Sequence, residues 1–161
     1  RADRWAAVNH VGHDIVVRDF NPGTGLGALR FRVPAPELDE TETPTADLSP
    51  DGMRLVILRG DNTGYDVLDA ESGRAEARIP MPANSYPQSI RWAPDGAKLY
   101  ATAQDGPAPY WIARLGMKGV DRVIWKSEDT WPGEMGLSPD GTTLAFMAMR
   151  MTSELWIMKP Q

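Results

Sequence analysis

Short apolar runs of β-prone residues, each opened by a tight turn, dominate the pattern of this chain. Arg54-Leu55-Val56-Ile57-Leu58, Lys98-Leu99-Tyr100-Ala101-Thr102 and Thr143-Leu144-Ala145-Phe146-Met147 have strand length and are bounded by turn residues, so each predicts a β-strand. The turns ahead of them share one sequence: Ser49-Pro50-Asp51-Gly52, Ala93-Pro94-Asp95-Gly96 and Ser138-Pro139-Asp140-Gly141. Proline presets φ, aspartate hydrogen-bonds nearby amides, and glycine takes the positive φ that lets the next strand leave. This is hairpin chemistry.

The aspartates of these turns fall at positions 51, 95 and 140, so the pattern recurs at intervals of 44 and 45 residues. The first two copies predict four strands each and the third copy predicts three. One precedes the turn (Thr45 to Leu48, Gln88 to Trp92, Glu134 to Leu137) and one follows it. A third comes after a polar loop (Tyr65 to Leu68, Tyr110 to Leu115, Leu155 to Met158), and a fourth after a further turn (Ala75 to Ile79, Val120 to Trp125). Four short antiparallel strands in roughly 40 to 45 residues make the blade of a β-propeller. The expected fold is therefore all-β, with about four blades, near residues 1–33, 45–80, 88–126 and 134–161.

The Ser/Ala-Pro-Asp-Gly turn, the apolar strand after it, and the run Glu154-Leu155-Trp156-Ile157-Met158 resemble the WD-repeat-like propeller repeats of the TolB type. The resemblance covers roughly Thr45 to Gln161 directly and residues 1–44 by inference. It is specific for fold and not for function. Similar repeats occur in periplasmic translocation proteins, sensor domains and the propellers of serine peptidases.

Residues 1–33 predict a blade of three strands (Trp5 to Val8, Ile15 to Asp19, Ala28 to Val33) that lacks its innermost one, and the last blade lacks its outermost one. Open sheet edges call for a partner. The expectation is a segment of a larger propeller, or one completed by a second copy or another protein chain. The opening residue, Arg1 rather than Met, is read the same way, as a cut or processed start.

The net charge of −5 argues against a nucleic-acid surface, which needs clustered Lys and Arg. The apolar runs are strand-sized, far short of the roughly 18 residues of a membrane helix. With no cysteine there is neither a disulfide framework nor thiol chemistry. This acidic, cysteine-free, Pro- and Gly-rich composition fits an extracytoplasmic location, bacterial periplasm or secreted.

Candidate chemistry is sparse. His10 and His13 are expected in a loop, where Asp14 is the only further metal ligand nearby. Glu37, Asp39, Glu40 and Glu42 crowd the linker Pro34 to Thr43 but match no EF-hand pattern, and Gly23, Gly25 and Gly27 lack the following helix of a phosphate loop. No Gly-x-Ser-x-Gly elbow occurs, and Asp51, Asp95 and Asp140 occupy equivalent turns of successive blades. Neither catalysis nor a cofactor is expected. Trp92, Trp111, Trp125 and Trp156 predict packing between blades, whereas Trp131, read as a loop residue, predicts an exposed contact.

In propellers of this type, as the resemblance implies, partners meet the face carrying the loops between blades and between second and third strands. On this chain that face would carry Asp61, Asn62, Asn84, Tyr86, Gln104, Asp105, Trp131 and Arg150, with Ser85 and Thr130 beside them. The expected function is a non-catalytic module that recognises a protein or small ligand there. Two alternatives stay open: the gating propeller of a serine peptidase similar to the prolyl-oligopeptidase type, and a self-assembling structural fragment.

Overall fold

A computed structural model describes residues 5–35 and 44–150, and among these every regular element is a β-strand. The expected strand Leu155 to Met158, Trp156 and most of the acidic linker lie outside the described residues.

Four antiparallel sheets follow one another along the chain. The first contains β1 (Trp5–Val11), β2 (Asp14–Asn21) and β3 (Gly25–Pro34) in that order. The second runs β4 (Ala46–Leu48), β5 (Arg54–Leu58), β6 (Gly64–Asp69) and β7 (Ala75–Pro80). The third runs β8 (Ser85–Trp92), β9 (Leu99–Asp105), β10 (Tyr110–Gly116) and β11 (Gly119–Ser127), and the fourth pairs β12 (Thr130–Leu137) with β13 (Leu144–Arg150). Innermost strands β4, β8 and β12 lie side by side, so the sheets are blades arranged around an axis.

The core sits between blades, because a twisted sheet with two apolar faces must bury both. Ile15, Val17 and Phe31 of the first blade pack on Leu55, Ile57 and Leu68 of the second. The other face of the second blade (Val56, Tyr65, Val67, Ile79) packs on Leu99, Ala101, Trp111, Ala113 and Leu115 of the third. Between the third and fourth blades, the rings of Trp125 and Phe146 meet at a tilt of 58° with centroids 5.1 Å apart. Trp92 and Trp111 are buried as expected of packing residues.

The Pro-Asp-Gly turns form as their sequence requires. Asp51 Oδ1 accepts from Met53 N at 3.0 Å, Asp95 Oδ1 from Ala97 N at 2.9 Å, and Asp140 Oδ1 from Thr142 N at 3.1 Å. Gly52, Gly96 and Gly141 have φ of 71°, 65° and 70°. These turns also knit neighbouring blades. Arg54 donates to the Gly96 carbonyl at 2.6 Å while its guanidinium lies 4.7 Å over the Trp92 ring. On the inner strands, the Asp47 carboxylate accepts from Trp92 N at 2.7 Å, and Arg91 donates to Glu134 at 2.8 Å.

Three expectations are corrected in detail. His10 belongs to β1, not to a loop, while His13 stands in the turn after it. Trp131 belongs to β12 and is half-buried. The segment with Gly23, Gly25 and Gly27, whose glycine spacing reads from the sequence as a long and flexible turn, is a compact one, in which Asn21 Oδ1 accepts from Gly23 N at 2.8 Å and β3 begins at Gly25.

Candidate functional site

Strand direction alternates within every blade, so the connections segregate to two ends. One end holds the three Pro-Asp-Gly turns. The other, the loop end, holds the β5–β6 and β9–β10 turns and the β7–β8 and β11–β12 connections. All eight residues singled out from the sequence map to this loop end, although they do different things there.

Asp61 is consumed by its own turn. It accepts from Thr63 N at 3.0 Å, Thr63 Oγ1 at 2.7 Å, and the Arg59 guanidinium at 3.0 and 2.7 Å. Desolvation pushes its carboxyl upward, but the Thr63 and Arg59 hydrogen bonds prevail and hold it at about 2. Asn62 supplies the left-handed residue of that turn, with φ of 54°. Asn84 does the same before β8, with φ of 66°, and its carbonyl accepts from Gly106 N at 3.1 Å.

Asp105 is also structural. Its Oδ1 accepts from Ser85 Oγ at 2.6 Å and from Trp111 Nε1 at 2.8 Å, tying β8, β9 and β10 together. Trp131 donates its indole N–H to Gln88 of the third blade, which ties the edge of its ring to the neighbouring inner strand β8. Arg150 ends β13 and pairs with Asp129, whose carboxyl is held down by the Thr130 hydroxyl, Arg150 and Ser127.

Tyr86 and Gln104 differ from the other six. Tyr86, 55% exposed, is the register partner of Gln104, which in turn pairs with Tyr110. Directly opposite residues on neighbouring strands share a face. Tyr86, Gln104 and Tyr110 therefore form a row of two phenols flanking a primary amide. Such a row offers aromatic faces together with donors and acceptors that are not spent on internal turns. Tyr110 was not singled out from the sequence, and its place as the first residue of β10 was the available signal.

Two clefts were not foreseen. One of about 220 Å³ opens between the first and second blades at the loop end, with apolar walls from Ile15, Val33, Ile57 and Leu58 and a polar margin from Arg59 and Asp66. The second, about 380 Å³, lies at the opposite end against Trp5, Phe20, Arg30 and Glu71. Among the described residues no group of three or more His, Asp or Glu is placed to hold a metal ion. Among the described residues no helix is long and apolar enough to cross a membrane.

No family model and no curated protein matches this sequence. Solved structures do. Hydrazine synthase of Kuenenia stuttgartiensis superposes with a TM-score of 0.59 at 21% identity, over 83% of this chain and 35% of that one. TolB of Acinetobacter baumannii gives 0.61 at 17% identity, over 94% and 36%. The WD40 domain of Toxoplasma gondii coronin gives 0.56 at 12% identity, over 88% and 38%. The chain thus spans between 35% and 38% of the length of these three structures. At such identities the likeness concerns architecture, and that architecture agrees with the blades, the Pro-Asp-Gly turns and the interblade core described above. The chain has a β-propeller fold of the TolB and WD40 type.

Proposed function

We propose that this chain is a non-catalytic binding module whose loop end, over the third blade, recognises a protein segment or a small polar ligand. The observation that carries the reading is the row Tyr86, Gln104 and Tyr110, in register on three adjacent strands with Tyr86 55% exposed. Rigid strands hold the row, and its polar atoms are not engaged in turn chemistry as those of Asp61 and Asp105 are.

The test is a titration of the 161-residue chain with peptide and oligosaccharide libraries, followed by amide chemical shifts. Binders are expected to shift Tyr86, Gln104 and Tyr110, and Tyr86→Ala with Gln104→Ala to weaken them at least tenfold. Binders that map to the Pro-Asp-Gly turns sink the reading. Propellers of gluconolactonases also superpose on this chain, one of them a periplasmic enzyme of Pseudomonas aeruginosa, which favours a lactone-hydrolysing reading at the level of fold only. Turnover of a sugar lactone by the purified chain would establish that rival.

The partner reading rests on a second surface. On the first blade, the face turned away from the second blade carries Trp5, Phe20, Leu26 and Leu29, exposed by 52%, 37%, 62% and 44%. The corresponding face of the third blade is buried against the second. The exposed face fits a further blade, from a second copy or from another chain. An extracytoplasmic location is compatible with the acidic, Pro- and Gly-rich composition and is part of this proposal, while the absence of cysteine fits either compartment.

A further inference from the structure

Met147 and Met149 stand two residues apart on β13, so strand alternation puts both thioethers on one face. They are 52% and 42% exposed. Phe146, one residue before Met147 and so of opposite parity, turns the other way to meet Trp125 of the third blade, which fixes the methionine face as the one directed away from that blade.

Two features of β12 shape this face. Gly133 lies in the register break between Pro132 and Met135, and a Cβ added there would sit 3.2 Å from the Met147 methyl and 3.6 Å from its Cβ. The missing side chain is what lets Met147 lie down over the strand. Trp131 is the register partner of Met149, so its ring shares the face with that thioether. Counted from the glycine of each Pro-Asp-Gly turn, the equivalents of Met147 and Met149 on the third blade are Thr102 and Gln104. The blade repeat therefore does not require sulfur at these positions. The same spacing continues in sequence at Met151, outside the described residues.

Thioethers are soft, polarizable ligands that select soft cations such as Cu(I) over Zn(II), Mg(II) or Ca(II). An indole face adds cation–π attraction without any formal charge. We propose that Met147 and Met149, with Trp131 beside them, form a binding site for a soft monovalent cation, Cu(I), on the open face of the fourth blade. This site is independent of the loop-end row.

Silver(I) is the non-redox probe. The full 161-residue chain, labelled with ¹³C at the methionine methyls, is titrated with silver nitrate in chloride-free buffer. Saturation at one ion per chain is expected, with shifts at Met147 and Met149 and quenching of tryptophan emission that Trp131→Phe removes. Met147→Leu with Met149→Leu keeps the apolar volume while deleting both sulfurs, and should weaken silver binding at least tenfold without changing the circular dichroism spectrum. Excess Zn(II) should not compete. Binding that survives the double substitution, or shifts confined to the exposed Met53 and Met117, would overturn the proposal.

Discussion

Asp47 shows how one side chain joins two blades. Its carboxylate takes the N–H of Trp92 on the neighbouring inner strand, and its own carbonyl accepts from the Trp92 indole at 3.1 Å. Burial raises its carboxyl above the usual range, against the opposing pull of the Trp92 N–H and of Arg91. Asp47→Ala leaves that N–H without its acceptor and should destabilise by about 1–3 kcal/mol, whereas Asp47→Asn keeps an acceptor and should lose less than half of that. Urea unfolding measures both. Asp140 has the opposite sign. The Ser138 hydroxyl, the Thr142 N–H and the Thr142 hydroxyl hold its carboxyl at about 2, below its ordinary 3.8. Its contribution is complete above the ordinary value and is lost as pH falls towards about 2. Acid titration should therefore show a loss of stability over that interval, and Asp140→Asn should flatten it. The turn chemistry behind Asp140 was legible in the sequence, since Ser-Pro-Asp-Gly states each hydrogen-bonding role. The roles of Asp105 and Trp131 were not, because their partners Ser85, Trp111 and Gln88 become neighbours only when strands and blades pair.

At the scale of elements, the strands after each Pro-Asp-Gly turn lie close to where alternation and turn residues put them. Inner strands are the exception. β8 begins at Ser85 and β12 at Thr130, whereas the sequence suggested Gln88 and Glu134. Pro87, Pro132 and Gly133 read as breakers along the chain. An innermost strand has a ladder partner on one side only, so a proline there need not forfeit a hydrogen bond, and both segments carry a register break, at Pro87/Ser89 and Pro132/Met135. These breaks matter for function, because Tyr86 and Trp131 lie in the extra turn of strand that the breaks permit. The same cause explains why Trp131 reads from sequence as an exposed loop residue. His10 is a related case: Val11-Gly12-His13 reads as turn, yet β1 extends through Val11 and leaves both ring nitrogens of His10 buried, without a hydrogen-bond partner among the described residues.

At the scale of the whole molecule, the 44- and 45-residue recurrence was enough to reach the propeller, because each repeat is a unit that cannot bury its faces alone. It was also enough to bring the candidate residues to one end of the blades, since strand alternation decides which connections share an end. What recurrence could not supply is which residues at that end stay chemically free. The row Tyr86, Gln104 and Tyr110 depends on the register between three strands, and the cleft between the first two blades depends on how their faces meet.

The most direct test of the interblade account is the solution mass of the 161-residue chain by light scattering over a concentration series, with Phe20→Lys and Leu26→Lys as controls. An exposed blade face that carries Trp5, Phe20, Leu26 and Leu29 predicts a concentration-dependent dimer or larger assembly that both substitutions abolish while the chain stays folded. A folded monomer at every concentration, indifferent to both substitutions, would contradict it: that face would then be stable in water, and nothing would need to complete the ring through it.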